Sequence, residues 1–135
     1  MPRTGREMLV AADDEAALPP AETLARADEL LAAGRPFQAH EVLEALWHVA
    51  VLEERGFWQG LAQIAVGLTH AQRGNQVGAA TLLRRGSDAV ARHVGDDHGV
   101  EITALVDICA SLADRIESHG VSSVSAQDLA VRLQA

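Results

Sequence analysis

The sequence contains no lysine and no tyrosine, and in 135 residues it has one cysteine, two phenylalanines and two tryptophans. Each shortage excludes something. Cys109 stands alone, so no intramolecular disulfide can form, which fits a reducing, cytoplasmic compartment. So few aromatic and other β-forming residues, in a chain dominated by Ala, Leu and Val, point to an all-helical protein, and no segment reads as a strand. The first twenty residues, MPRTGREMLVAADDEAALPP, lack a continuous apolar run, so neither a signal peptide nor a membrane anchor is expected. The net charge of −8 argues against general affinity for nucleic acid or an anionic lipid surface. From Arg55 to Val94 the balance reverses to five arginines against one acid, Asp88. Arg84, Arg85 and Arg92 fall on the outward side of their helix and read as a solvated face.

One length of charge is also missing. Phe57 to Gln72, FWQGLAQIAVGLTHAQ, runs for sixteen residues without an ionised side chain. At 100° per residue, Phe57, Leu61, Ile64, Ala65 and Leu68 form one face, while Gln59, Gln63 and His70 form the opposite one. A face of neutral polar groups is not an ordinary solvated face. The helix should be central and packed on most sides, yet it is too short and too polar to span a membrane.

Before it lies His40-Glu41-Val42-Leu43-Glu44-Ala45-Leu46-Trp47. His40, Glu44, Trp47 and Val51 follow helical steps of four, three and four beside Leu43, Leu46 and Ala50, whereas Glu41 and His48 point further round. Two neighbouring helices thus carry polar stripes in apolar surroundings. If they pack antiparallel, a mutual hydrogen-bond network is the cheapest solution.

In chain order, the pattern predicts one all-α domain of about five helices. Residues 1–18 form an acidic arm, residues 19–120 the helical bundle, and residues 121–135 a short C-terminal helix or tail. Helix one is expected over Ala21–Ala33, with Leu24, Ala27, Leu30 and Leu31 inward and Gly34 as its stop. Helix two starts at Pro36 and reaches about Leu52, and Glu53-Glu54-Arg55-Gly56 is the polar connection to the central helix, about residues 57–73. Gly74-Asn75 stops that helix. A fourth runs over Gln76–Val94, with His93 on its inner face. A fifth ends near Ser118, with Ile102, Leu105, Ile108, Cys109, Leu112 and Ile116 inward. Ser125 caps a last helix, Ala126–Leu133.

One internal echo recurs at an offset of forty. GRPFQAHEVLEAL from Gly34 aligns with GNQVGAATLLRRG from Gly74, matching glycine, Ala39 with Ala79, and Leu43 with Leu83. Tetratricopeptide repeats use small-residue helical hairpins of this kind.

His40-Glu41-x-x-Glu44-x-x-Trp47, then Phe57-x-Gln59-Gly60-Leu61-x-Gln63, then His70, then Gly74-Asn75-x-x-Gly78-Ala79 resembles the family called domain of unknown function 309. The match runs over roughly residues 34–90 and implies a small, all-helical, prokaryotic-type domain. It carries over His40, Glu41, Glu44, Trp47, Gln59, Gln63, His70 and Asn75 as the residues of interest, and supplies no activity.

Three readings of these residues compete. His40 and Glu44, an i, i+4 pair, with His70 as a third ligand, would make a two-histidine, one-carboxylate site for a divalent metal. Against it, Glu44 stands where the second histidine of HExxH would be, and the Glu-x-x-His pairs of di-iron bundles are missing. The same groups could form a structural network, or a pocket for a small polar ligand. The third reading is a tetratricopeptide-like interaction module with a protein partner, or a homo-oligomer seamed along the polar stripe. His48, His93 and His98 read as surface or core-edge residues, His119 as a helix-end cation, and Asn75 as a turn residue.

Overall fold

The computed structural model describes residues 17–95 and 97–134. The expected arm over residues 1–18 therefore falls, except for Ala17 and Leu18, outside the described residues. Among them are six α-helices and no named strand. They are α1 (Pro20–Ala32), α2 (Pro36–Val49), α3 (Leu52–Gln72), α4 (Gln76–Ala91), α5 (Ile102–His119) and α6 (Ala126–Leu129), with a 3-10 turn at Val121–Ser123. The all-α class inferred from composition holds. No helix among the described residues is long and apolar enough to cross a membrane.

Each of α1 to α5 packs chiefly against its chain neighbour, as short antiparallel connections require. α3 is the axis. Phe57, Trp58, Gly60, Leu61, Ala62, Ile64, Ala65, Gly67, Leu68, Thr69 and Ala71 are all buried on it. Its crossing with α4 is set by two glycines. A Cβ on Gly86 would lie 2.6 Å from the Gly60 carbonyl oxygen, so the two backbones approach as only paired glycines allow.

The echo at an offset of forty is a repeat of backbone geometry. α1 ends with Gly34 at φ +75, and α3 ends with Gly74 at φ +79. At the first turn Gly34 N–H donates to the Leu31 carbonyl (3.1 Å) and Arg35 N–H to Leu30 (2.8 Å). At the second, Gly74 N–H donates to Ala71 (3.2 Å) and Asn75 N–H to His70 (2.9 Å). Both are the paired 5→2 and 6→1 closure of a glycine-ended helix. α1–α2 and α3–α4 are therefore two hairpins with one turn design. They are joined at that end, where Gln72 Nε2 donates to the Gly34 carbonyl (2.9 Å) and the Arg73 guanidinium lies 5.5 Å from the centre of the Phe37 ring.

Three boundaries differ from expectation. Glu53-Glu54-Arg55-Gly56 is not a connection but part of α3. The turn is only Ala50 and Val51, both extended at ψ 151 and 154, and the two glutamates occupy the first helical turn, where acids favour the macrodipole. Val51 thus leaves the α2 stripe and is exposed. α4 stops at Ala91, short of Val94. The last helix stops at Leu129, not Leu133, because beyond it burial alternates. Val131 and Leu133 are buried while Arg132 is exposed, a period of two that only an extended chain satisfies. On α5, Ile108 is 43% exposed, whereas Leu105, Cys109, Leu112 and Ile116 line the buried face.

Candidate functional site

α2 exposes three sides to different neighbours. Ala39, Leu43 and Leu46 are buried. Gln38, Glu41, Val42 and Ala45 line an open groove of about 530 Å³ shared with Leu18, Arg26 and Leu30, on the α1 side. His40, Glu44 and Trp47, spaced four and three, fall on another flank, and all three are half-buried. On α3 the half-buried positions from Gln59 onward are Gln59, Gln63, Val66 and His70, again spaced four, three and four. The residues expected at the site therefore form a half-buried stripe on each of the two helices, together the polar band, with two exceptions. Glu41 is exposed on the groove side of α2, and Asn75 is exposed beyond the end of α3.

Within the band the polar contacts run along the chain, not across the helix seam. His40 Nε2 lies 3.6 Å from Glu44 Oε2. The other His40 nitrogen, Nδ1, is buried without a partner, the one such side-chain atom among the described residues. The imidazole leans on the Phe37 ring at 5.4 Å, and Trp47 stacks on His48 at 4.8 Å.

His70 and Asn75 have a definite job. Asn75 Oδ1 accepts the Gly78 N–H at 3.0 Å and so caps α4, while Asn75 Nδ2 donates to His70 Nδ1 at 3.1 Å. With the Asn75 N–H already on the His70 carbonyl, the two residues clamp the second hairpin turn from both sides. Gly78 makes room for this, since a Cβ there would sit 2.9 Å from the His70 ring. His40, Glu44 and His70 are not drawn together into a ligand set. No group of three or more His, Cys, Asp or Glu side chains able to hold a metal occurs among the described residues.

A second histidine–glutamate cluster escaped sequence reasoning. Glu54 Oε1 accepts the Trp58 indole N–H at 3.2 Å and meets His98 Nε2 at 3.1 Å. His98 has left-handed backbone, φ 51, and its ring packs 5.2 Å from Trp58 and 5.7 Å from Phe57, while His93 meets Phe57 at 5.6 Å. The cluster satisfies the indole that the apolar surroundings of Trp58 would otherwise strand, and it pins the α4–α5 loop to the start of α3. The i, i+4 spacing of Glu54 and Trp58 was a usable signal, but only for a helix already running at Leu52.

Other charged groups act as braces. Arg84 donates from Nη2 to Asp114 and to Glu117 on α5, each at 2.6 Å. These hydrogen bonds, Glu117 first, raise its already high pKa. Arg84 is thus a cross-helix tie, not part of a free basic face. The Cys109 thiol is pushed up to about 12 by burial and has no nucleophilic character.

The architecture is that of a small all-α protein with two helical hairpins of one turn design, and with a half-buried polar stripe on each of α2 and α3. Residues 24–82, from α1 into α4, match the family described as domain of unknown function (DUF309), bearing out the resemblance read from the motifs. The chain is also 32% identical over 85 residues to the uncharacterized protein YpuF of Bacillus subtilis (strain 168), an alignment covering 61% of this chain. It spans about half, 49%, of that curated relative's length. No solved structure matches the chain.

Proposed function

We propose that the chain is a helical-hairpin protein-interaction module without catalysis, acting in the cytoplasm, with the His40, Glu44, Trp47, Gln59 and Gln63 band as its contact surface. The observation that carries this reading is the second copy of the Gly34 turn at Gly74, closed by the same pair of backbone hydrogen bonds. Stacked hairpins of one design are the means by which helical repeats build extended binding surfaces. The band supplies what a contact surface needs, a half-buried tryptophan on α2 and half-buried neutral amides on α3. His70 and Asn75 serve the turn, and Glu41 stands outside the band. A second copy of the chain is one partner that would suit a surface so poor in charge.

The test is a photo-crosslinking amino acid placed at Gln63, with a control at Arg92. A defined protein, or a second copy, captured only from Gln63 and lost in Trp47→Ala is the expected result. Equal capture from both positions would sink the assignment.

A second reading keeps one supporting observation, the buried and unpartnered His40 Nδ1 beside Glu44. It is a small polar ligand or divalent metal held at the same band. Protein purified without chelator and analysed for zinc, iron, manganese and nickel decides it. Near-stoichiometric metal that falls in His40→Ala and Glu44→Ala would replace the interaction reading.

A further inference from the structure

α1 and α3 each open a hairpin, and α5 follows the α4–α5 loop as the next long helix. After α5 a third hairpin would need a second long helix. Instead Gly120, at φ +86, and the 3-10 turn redirect the chain, and residues 126–134 cross back over the other helices. α6 packs against α3. Leu129, Val131 and Leu133, at alternate positions, are 8%, 5% and 1% exposed in the common core.

The backbone of the segment is held as a bound peptide would be. Asp28, on α1, accepts the Leu133 N–H at 2.7 Å with Oδ1 and the Gln134 N–H at 3.2 Å with Oδ2. The Leu133 carbonyl accepts the Glu101 N–H at 3.3 Å, and Gln134 forms an isolated antiparallel bridge with Val100. Main-chain bonds with pockets for alternate side chains are the general mode by which a surface takes an extended peptide. The anchors outside the groove are modest. Arg115 and Asp128 lie 3.4 Å apart and are partly exposed, and the four-residue α6 is held by its own Ser125–Asp128 capping box.

We propose that residues 126–134 are a displaceable strap. They fill a groove along α1, α3 and the start of α5 that accepts an extended segment of a partner protein with apolar residues at three alternate positions. Asp28 clamps two successive backbone N–H groups of that segment. The inference rests on the interaction-module reading and adds a second, inner surface to it. The chain's own segment is the argument for the occupant, since it shows which pattern the groove selects.

The probe is a labelled peptide of residues 124–134, VSAQDLAVRLQ, with a scrambled control, titrated into the full chain. Wild type should bind weakly, because its groove is occupied. The full chain carrying Val131→Asp and Leu133→Asp should bind roughly tenfold tighter or more, as emptying the groove raises the competent fraction. Adding Asp28→Asn to that variant should abolish the gain. If the double variant fails to fold, the segment is a fixed part of the core and the proposal is overturned. A folded double variant that ignores the peptide overturns it equally. A wild-type dimer that the peptide dissolves would assign the groove to a second copy's strap, against a foreign partner. None of these outcomes touches the Gln63 crosslink, so the two readings fail separately.

Discussion

Asn75→Ala tests whether His70 is committed to structure. Two side-chain bonds disappear, the cap on the Gly78 N–H and the donor to His70 Nδ1. Losing an N-cap costs typically about 1 kcal/mol. The second bond, exposed and neutral, adds about 0.5–1 kcal/mol. The expected loss is therefore about 1–2 kcal/mol, roughly 3–6 °C in Tm for each kcal/mol in a chain of this size. Asn75→Asp separates the two effects. It keeps an acceptor for Gly78 and places a negative charge at the α4 N-terminus, worth about 0.3–1 kcal/mol, but has no donor for His70. It should fall close to wild type. Urea unfolding followed by far-UV circular dichroism gives each value, and a double-mutant cycle of Asn75→Ala with His70→Ala should show coupling of about 0.5 kcal/mol or more. Wild-type stability for Asn75→Ala, with no coupling, would refute the clamp and return His70 to the pool of free ligands.

Gly86→Ala forces a methyl to within 2.6 Å of the Gly60 oxygen and 2.8 Å of the Ile64 nitrogen. Backbone cannot step aside as a flexible side chain would, so overpacking of about 1–3 kcal/mol should exceed the roughly 1 kcal/mol alanine gains in a helix. An unchanged or raised urea midpoint would contradict the close crossing. Cys109, buried and with its thiol raised to about 12, should resist iodoacetamide at pH 8 in native protein and react promptly in urea; rapid native labelling would mean α5 opens locally. Arg84→Ala should cost no more than about 1 kcal/mol, less in high salt, because the fork to Asp114 and Glu117 is partly exposed; a loss that ignores salt would point to packing instead. Asp128 is held below the usual carboxylate range by the Ser125 backbone N–H, the Ser125 hydroxyl and Arg115. Its contribution is present above the ordinary carboxylate pKa and disappears as pH falls through the lowered value. The protection of the Ser125 amide, its exchange rate compared with the intrinsic rate at the same pH, should therefore fall at acid pH in wild type, with no such step in Asp128→Asn.

The helices were legible because their signals are local. Gly34 and Gly74 mark stops that need left-handed backbone, and Pro36 suits a first turn, so α1, the start of α2 and the end of α3 fall where the residues say. The repeat was legible for the same reason. A glycine, a small residue five positions later at Ala39 or Ala79, and a leucine at 43 or 83 are sequence marks of one hairpin design. What three charged residues and a glycine in a row could not say is whether they form a loop or a solvated first turn. Glu53-Glu54-Arg55-Gly56 has loop composition, yet it is helix, because α2 has already ended at Val49 and two extended residues complete the turn.

That single boundary concealed the better-satisfied of the two histidine–glutamate pairs. Read as a loop residue, Glu54 bears no fixed relation to Trp58. On a helix from Leu52 it stands one turn before the indole and accepts its proton. His98, forty-four residues away, reaches the same oxygen through a left-handed loop backbone that no periodicity announces. The pair that was legible, His40 with Glu44, sits on one helix and is visible for that reason alone; its 3.6 Å separation is looser than the 3.1 Å of His98 to Glu54. Asp28 makes the same point more sharply. Nothing marks it as different from any other acid on α1, and its meaning comes only from two amides more than a hundred residues later. Sequence spacing finds sites that one element builds. The contacts that tie this chain's ends and loops together depend on elements meeting, and they are where its displaceable parts should be sought.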